Sequence, residues 1–108
     1  MSKSPYYKIE KGSSVFGLQS NLSKFIKELL LKEYKIYEVS QKRGDLVPYH
    51  CHNHKEIILL LEGKMRLIIE EDIIDIEAGE VLTIEAWAIH LACFPQDSAK
   101  FFLCFPKK

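Results

Sequence analysis

The spacing of apolar residues changes about a third of the way along the chain. Leu22, Phe25, Ile26, Leu29 and Leu30 recur at intervals of three and four, which puts them on one stripe of an α-helix. Ser20 or Asn21 is suited to cap its start, and Lys24, Lys27 and Lys32 project away from the stripe. The helix is predicted over about residues 21–33, ending before Tyr34. Such a helix lies against the outside of a sheet or in a dimer contact, with its lysines in water.

Beyond the helix the pattern becomes that of short strands, predicted at Tyr34–Val39, Glu56–Leu61, Met65–Glu70, Ile73–Ile76, Val81–Ile84, Ile89–Phe94 and Lys100–Phe105. Turn chemistry separates them at Arg43-Gly44-Asp45, Glu62-Gly63-Lys64, Glu70-Glu71-Asp72, Glu77-Ala78-Gly79 and Pro95-Gln96-Asp97-Ser98. No helical pattern lies between strands to make parallel crossovers, so an antiparallel barrel or sandwich is expected. The chain divides into an amino-terminal extension, residues 1–33, which carries the helix, and a β domain over residues 34–108. The segment Tyr6–Glu10 is placed to add to a partner's sheet.

A length of 108 residues fits one domain, and 47% hydrophobic with 28% charged residues is the balance of a globular protein. Fifteen Lys plus Arg cancel fifteen Asp plus Glu, so no long-range field draws the chain to phosphate backbones or anionic membranes, and nucleic acid is not an expected partner. No apolar run exceeds the five residues of Ile57–Leu61, far short of the roughly 20 needed to span a bilayer. The start, MSKSPYYKIEKG, lacks the apolar stretch of a secretory signal, and Cys51, Cys93 and Cys104 form no Cys-x-x-Cys or paired framework. A cytoplasmic protein with free thiols is expected.

Three of the four histidines fall in the segment His50-Cys51-His52-Asn53-His54. On an extended strand, side chains two apart share a face, so His50 and His52 are placed to present neighbouring imidazoles. By itself a His-x-His pair reads first as solvated strand or loop histidines. Glu56 follows at a spacing from which its carboxylate can join them, and His90 lies on a later strand that a closed β fold would bring alongside.

From Gly44 to Gly63, GDLVPYHCHNHKEIILLLEG has the form G-x5-H-x-H-x3-E-x6-G, and GEVLTIEAWAIHLACF, from Gly79, keeps the Gly and His of G-x5-P-x-G-x2-H-x3-N. These resemble the two motifs of the cupin superfamily. The second departs at Glu85 for Pro, Trp87 for Gly and Phe94 for Asn. The resemblance implies an all-β fold, the cupin double-stranded β-helix or jelly-roll barrel, closed around one metal, with one amino-terminal amphipathic helix. It implies that His50, His52, Glu56 and His90 hold a divalent first-row transition metal ion (iron, manganese, nickel, copper or zinc) with open positions for water or a small molecule. It also implies a homodimer.

Glu85, Tyr49 and His54 adjoin these positions and are the acid–base candidates. Cys51 faces away from the imidazoles on a regular strand and is expected in core or rim packing; joining a zinc site would require a bulge. Cys93 and Cys104 read as small hydrophobes. Trp87 is expected either to narrow the pocket mouth or to pack at the rim. Three neutral imidazoles, one carboxylate and a divalent ion carry a net charge of about plus one, which suits an anionic or enolisable ligand. No catalytic serine triad, phosphate loop or dinucleotide fingerprint is present. The expected function is that of a metal-dependent dioxygenase or isomerase-like enzyme acting on a small oxygenated metabolite, with a non-catalytic small-molecule or metal-binding sensory module as the alternative.

Overall fold

The apolar run at Ile57–Leu61 is explained by a strand buried on both faces. In a computed structural model, which describes residues 4–10 and 19–107, the elements are β1 (Tyr7–Glu10), α1 (Gln19–Leu31), β2 (Tyr34–Gln41), β3 (Leu46–His50), β4 (Glu56–Ile69), β5 (Asp72–Glu77), β6 (Val81–Ile84), β7 (His90–Cys93) and β8 (Ala99–Pro106). All pairings are antiparallel. One layer runs β1-β6-β4-β8-β2 and the other β3-β7-β4-β5, so β4 belongs to both. This is the double-stranded β-helix arrangement, with a sheet that does not close into a barrel.

The expected turn at Glu62-Gly63-Lys64 does not reverse the chain. β4 continues through it, pairing Gly63 with Ala99 of β8 and then Lys64 with Glu77 of β5. A register shift between Leu60 and Glu62 and the left-handed backbone of Gly63 (φ 85°) bend the strand from one layer into the other. An added Cβ at Gly63 would collide with the Ser98 carbonyl oxygen, so only glycine fits this corner.

β1 pairs with β6 of its own chain, Tyr7 opposite Ile84 and Glu10 opposite Val81, rather than with a partner's sheet. The helix begins at Gln19, which places Ser20 and Asn21 inside it rather than at its cap; their side chains and that of Leu22 lie outside the described residues. It stops where Glu33 takes a left-handed conformation (φ 64°). Leu29, Phe25 and Ile26 pack on the outer face of the first layer against Ile57, Leu59, Val81 and Cys104. Leu30 leaves the expected stripe and is 57% exposed. Between the layers lies the main core, with Ile58, Leu60, Met65, Leu67, Leu82 and Phe101 among its members. No helix among the described residues is long and apolar enough to cross a membrane.

Candidate metal centre

Strand alternation alone would not turn His50 inward. Val47 faces the interior opposite Ala92, and two residues on, Tyr49 should do the same. Instead the pairing slips, so that Pro48 and Tyr49 lie between the Val47–Ala92 and His50–His90 pairs, opposite Leu91 alone. Pro48 has no N–H for the ladder, as such a bulge tolerates. The extra residue leaves Tyr49 56% exposed and rotates His50 to the inner face, beside His90.

β3 ends at His50, so His52 lies in the following loop rather than on a continuing strand. Its position is held from across the fold: the Trp87 N–H donates to the His52 carbonyl oxygen at 2.7 Å. Glu56 opens β4 and His90 opens β7, and they are 5% and 3% exposed. One ligand atom from each of His50, His52, Glu56 and His90 lies within 4.8 Å of the others. The three imidazole centroids are 4.3 to 5.7 Å apart.

The hydrogen bonds assign the imidazole tautomers. His50 Nδ1 lies 2.8 Å from the Pro48 carbonyl oxygen and His90 Nδ1 lies 2.9 Å from that of Ala88. A carbonyl only accepts, so each Nδ1 carries the proton and donates it, leaving the Nε2 lone pairs free. Glu56 Oε1 sits 3.2 Å from His90 Nε2 and 3.3 Å from His52 Nε2, yet Glu56 Oε1 and His90 Nε2 are buried without a hydrogen bond. Two orphaned buried atoms facing one another are costly unless a third body joins them. A divalent cation suits this nitrogen and oxygen donor set.

Burial lowers the His52 pKa, with His50, His90 and His54 adding to the effect and Glu56 opposing it. Burial also depresses His90, but the adjacent Glu56 carboxylate and the Ala88 carbonyl outweigh it and hold that imidazole above its ordinary value.

The remaining candidates are distributed differently. His54 stacks on His52 with centroids 5.2 Å apart and planes 6° from parallel, and it meets the edge of Phe105. Tyr49 and Glu85 are exposed; the Glu85 N–H donates to the Tyr6 carbonyl oxygen, tying the β6–β7 turn to the segment before β1. Cys51 is exposed in the loop, not in the core, and stands outside the four-residue group. Cys104 is fully buried, and burial pushes its thiol up to about 12. Trp87 is 66% exposed and does not line the cavity described below. Its backbone is left-handed (φ 69°), which accounts for the glycine that the resembled motif carries there. Phe94, in place of the motif's Asn, is a core residue stacked on Phe101.

The four clustered side chains form one end of a cavity of about 250 Å3 between the layers. Its walls are mostly aliphatic and aromatic, and among the described residues Gln41 is the one polar lining residue outside the cluster. Phe105 also lines it and meets the His52 ring edge-on at 5.4 Å. Gln41 escapes the sequence reading because the strand was predicted to end at Val39. Extending the alternation by one step, Val39 to Gln41, would have found it.

A family model described as "Cupin domain" matches residues 37–105. No curated protein matches the sequence. Among solved structures, a Streptococcus pyogenes protein of unknown function is 16% identical with a TM-score of 0.65; the match covers 69% of this chain and 65%, just under two thirds, of that one. A cupin superfamily protein from Desulfitobacterium hafniense is 20% identical with a TM-score of 0.65, over 69% of this chain and 68% of that one. An RmlC-like cupin family protein with a double-stranded β-helix fold from Methanocaldococcus jannaschii is 20% identical with a TM-score of 0.64, over 68% of this chain and 69% of that one.

Proposed function

The chain belongs to the cupin family, and we propose that His50, His52, Glu56 and His90 hold a divalent first-row metal ion at which a small oxygenated metabolite is turned over by dioxygenase- or isomerase-like chemistry. The supporting observation is the convergence of Glu56 Oε1 and His90 Nε2, both buried and unbonded, on the space shared with His50 and His52. A metal ion held there supplies Lewis acidity and, if redox-active, a means of engaging dioxygen.

The chain's own residues orient and enclose. The Pro48 and Ala88 carbonyls fix the His50 and His90 rings in the tautomer that offers Nε2. Phe105 and the stacked His54 restrict the His52 ring. The mostly aliphatic and aromatic walls offer few hydrogen bonds to compete with the clustered ligands. Tyr49 and Glu85 are exposed, so of the acid–base candidates His54 is the one kept, through its stack on His52.

A second reading, binding without turnover, is favoured by the cavity lining, in which, among the described residues, the groups able to exchange protons all belong to the proposed ligand set. Metal-loaded protein, offered small oxo and hydroxy acids in air, separates the two. Oxygen uptake or product formation supports the enzyme, and saturable binding with unchanged ligand supports the sensory module. The same proposal carries a homodimer, since β1, β2, β3 and β5 each pair on one side only among the described residues. Free Cys51, Cys93 and Cys104 suit the cytoplasm.

A further inference from the structure

We propose that the cavity selects a ligand with three zones: an oxygen-donor head at the histidine end, an apolar body of about ring size, and a distal hydrogen-bonding group read by Gln41. The head assignment rests on the metal site proposed above; the body and tail rest on the cavity itself.

The zones follow from the strand register. Phe105 abuts His52 at the metal end. Phe101, four residues earlier on β8, lies opposite Val39, and Ala99 lies opposite Gln41. At about 3.3 Å per residue, Phe105 and Phe101 are about 13 Å apart, so Gln41, opposite Ala99, lines the cavity on the side away from His52. Between the ends the walls include Val47, Ile58, Leu67, Phe101 and Leu103, which offer a ligand no hydrogen bonds. A dry apolar cavity of about 150 Å3 accommodates benzene, so about 250 Å3 takes a ring with short substituents.

Gln41 is half-buried, and its amide makes no hydrogen bond with any described residue. It also borders a separate surface depression lined by Ser40, Lys42, Glu62, Ser98 and Lys100, so within the cavity, among the described residues, Gln41 alone supplies a polar group away from the histidines. An amide in this position donates and accepts and favours a hydroxyl or carbonyl over a bare C–H. A purely polar short acid would leave the apolar walls unfilled, and a purely apolar tail would strip water from Gln41 without replacement.

The test is calorimetric titration of metal-loaded protein with pyruvate (head alone), phenylpyruvate (head and body) and 4-hydroxyphenylpyruvate (all three zones), using wild type and Gln41→Leu, with metal content measured in every sample. The expected order in wild type is 4-hydroxyphenylpyruvate, phenylpyruvate, pyruvate, with tenfold or more between the last two and about fivefold between the first two. Gln41→Leu is expected to keep its metal and to lose the preference for the hydroxylated compound. Pyruvate binding as tightly as phenylpyruvate, no binding of any of the three, or an unchanged hydroxyl preference in Gln41→Leu overturns the proposal. Equal binding to metal-free and metal-loaded protein overturns the metal-centred head instead, while the ratios among the three compounds still judge body and tail.

Discussion

β4 has a hydrophobic layer on each side, and the two layers are built differently. Toward the helix, Ile57 and Leu59 join Leu29, Val81 and Cys104 in a closed apolar cluster. One residue out of phase, Glu56, Ile58 and Leu60 point between the layers, where Glu56 and Ile58 border a cavity that holds three histidines. The same five-residue apolar run therefore supplies a support that is filled and a site that is hollow. In the hollow layer carbonyls fix the His50 and His90 rings, and the converging donor atoms leave a cost that a shared cation would relieve.

If the layers differ in this way, equivalent truncations should not cost the same. Leu59→Ala removes a fully buried side chain from the filled layer and is expected to cost about 4 kcal/mol in denaturant unfolding. Leu67→Ala, equally buried but bordering the cavity, is expected to cost about 2 kcal/mol, since its side chain forgoes contacts on the hollow side. Equal costs would break the distinction.

The hollow layer should also be the one whose stability responds to metal. A cation present at about a hundred times its Kd is expected to add about 2.7 kcal/mol, an increment that Glu56→Gln should abolish. In the metal-free protein, the raised His90 contributes stability that is fully present below 6.5, its ordinary value, and is lost as the pH rises through its folded pKa. Metal uptake runs the other way, strengthening about tenfold per pH unit until His90 is deprotonated. The midpoint of that rise should therefore lie above 6.5. Metal affinity independent of pH would remove His90 from the set.

A smaller effect is expected at the rim. Trp87→Gly relieves a left-handed non-glycine backbone, which costs about 1–2 kcal/mol. It also adds backbone freedom to the unfolded chain worth about 0.5–1 kcal/mol, for a net gain of about 0.5 kcal/mol in thermal unfolding. Destabilisation would mean that the indole contributes packing despite its exposure. Thiol labelling of the folded protein gives the mildest check: Cys51 should react first and Cys104 last, because Cys104 is buried in the filled layer with its thiol pushed up to about 12.

Much of this was legible in the sequence because period and spacing carry it. The pattern predicts Val81–Ile84 to the residue, and the two motifs bring His50, His52, Glu56 and His90 into one set. What was missed depends on distant neighbours. Glu62-Gly63-Lys64 has turn composition, but whether a glycine reverses a strand or bends it is decided by Ser98 on another segment. The Pro48–Tyr49 bulge that turns His50 inward is visible only in its pairing with β7. Leu30 fits the helical stripe in spacing and still faces water, because the helix meets the sheet through Phe25, Ile26 and Leu29.

The central claim is that the hollow layer holds a metal. It is tested by elemental analysis of metal-stripped protein reconstituted in turn with iron, manganese, nickel, copper and zinc, alongside the His52→Ala/Glu56→Ala double variant. Near-stoichiometric uptake of at least one ion by the wild type, and its loss in a variant that remains folded, is the expected result. Equal metal content in the two proteins, or none in the wild type, would contradict the claim and leave an apolar ligand-binding fold without a metal centre.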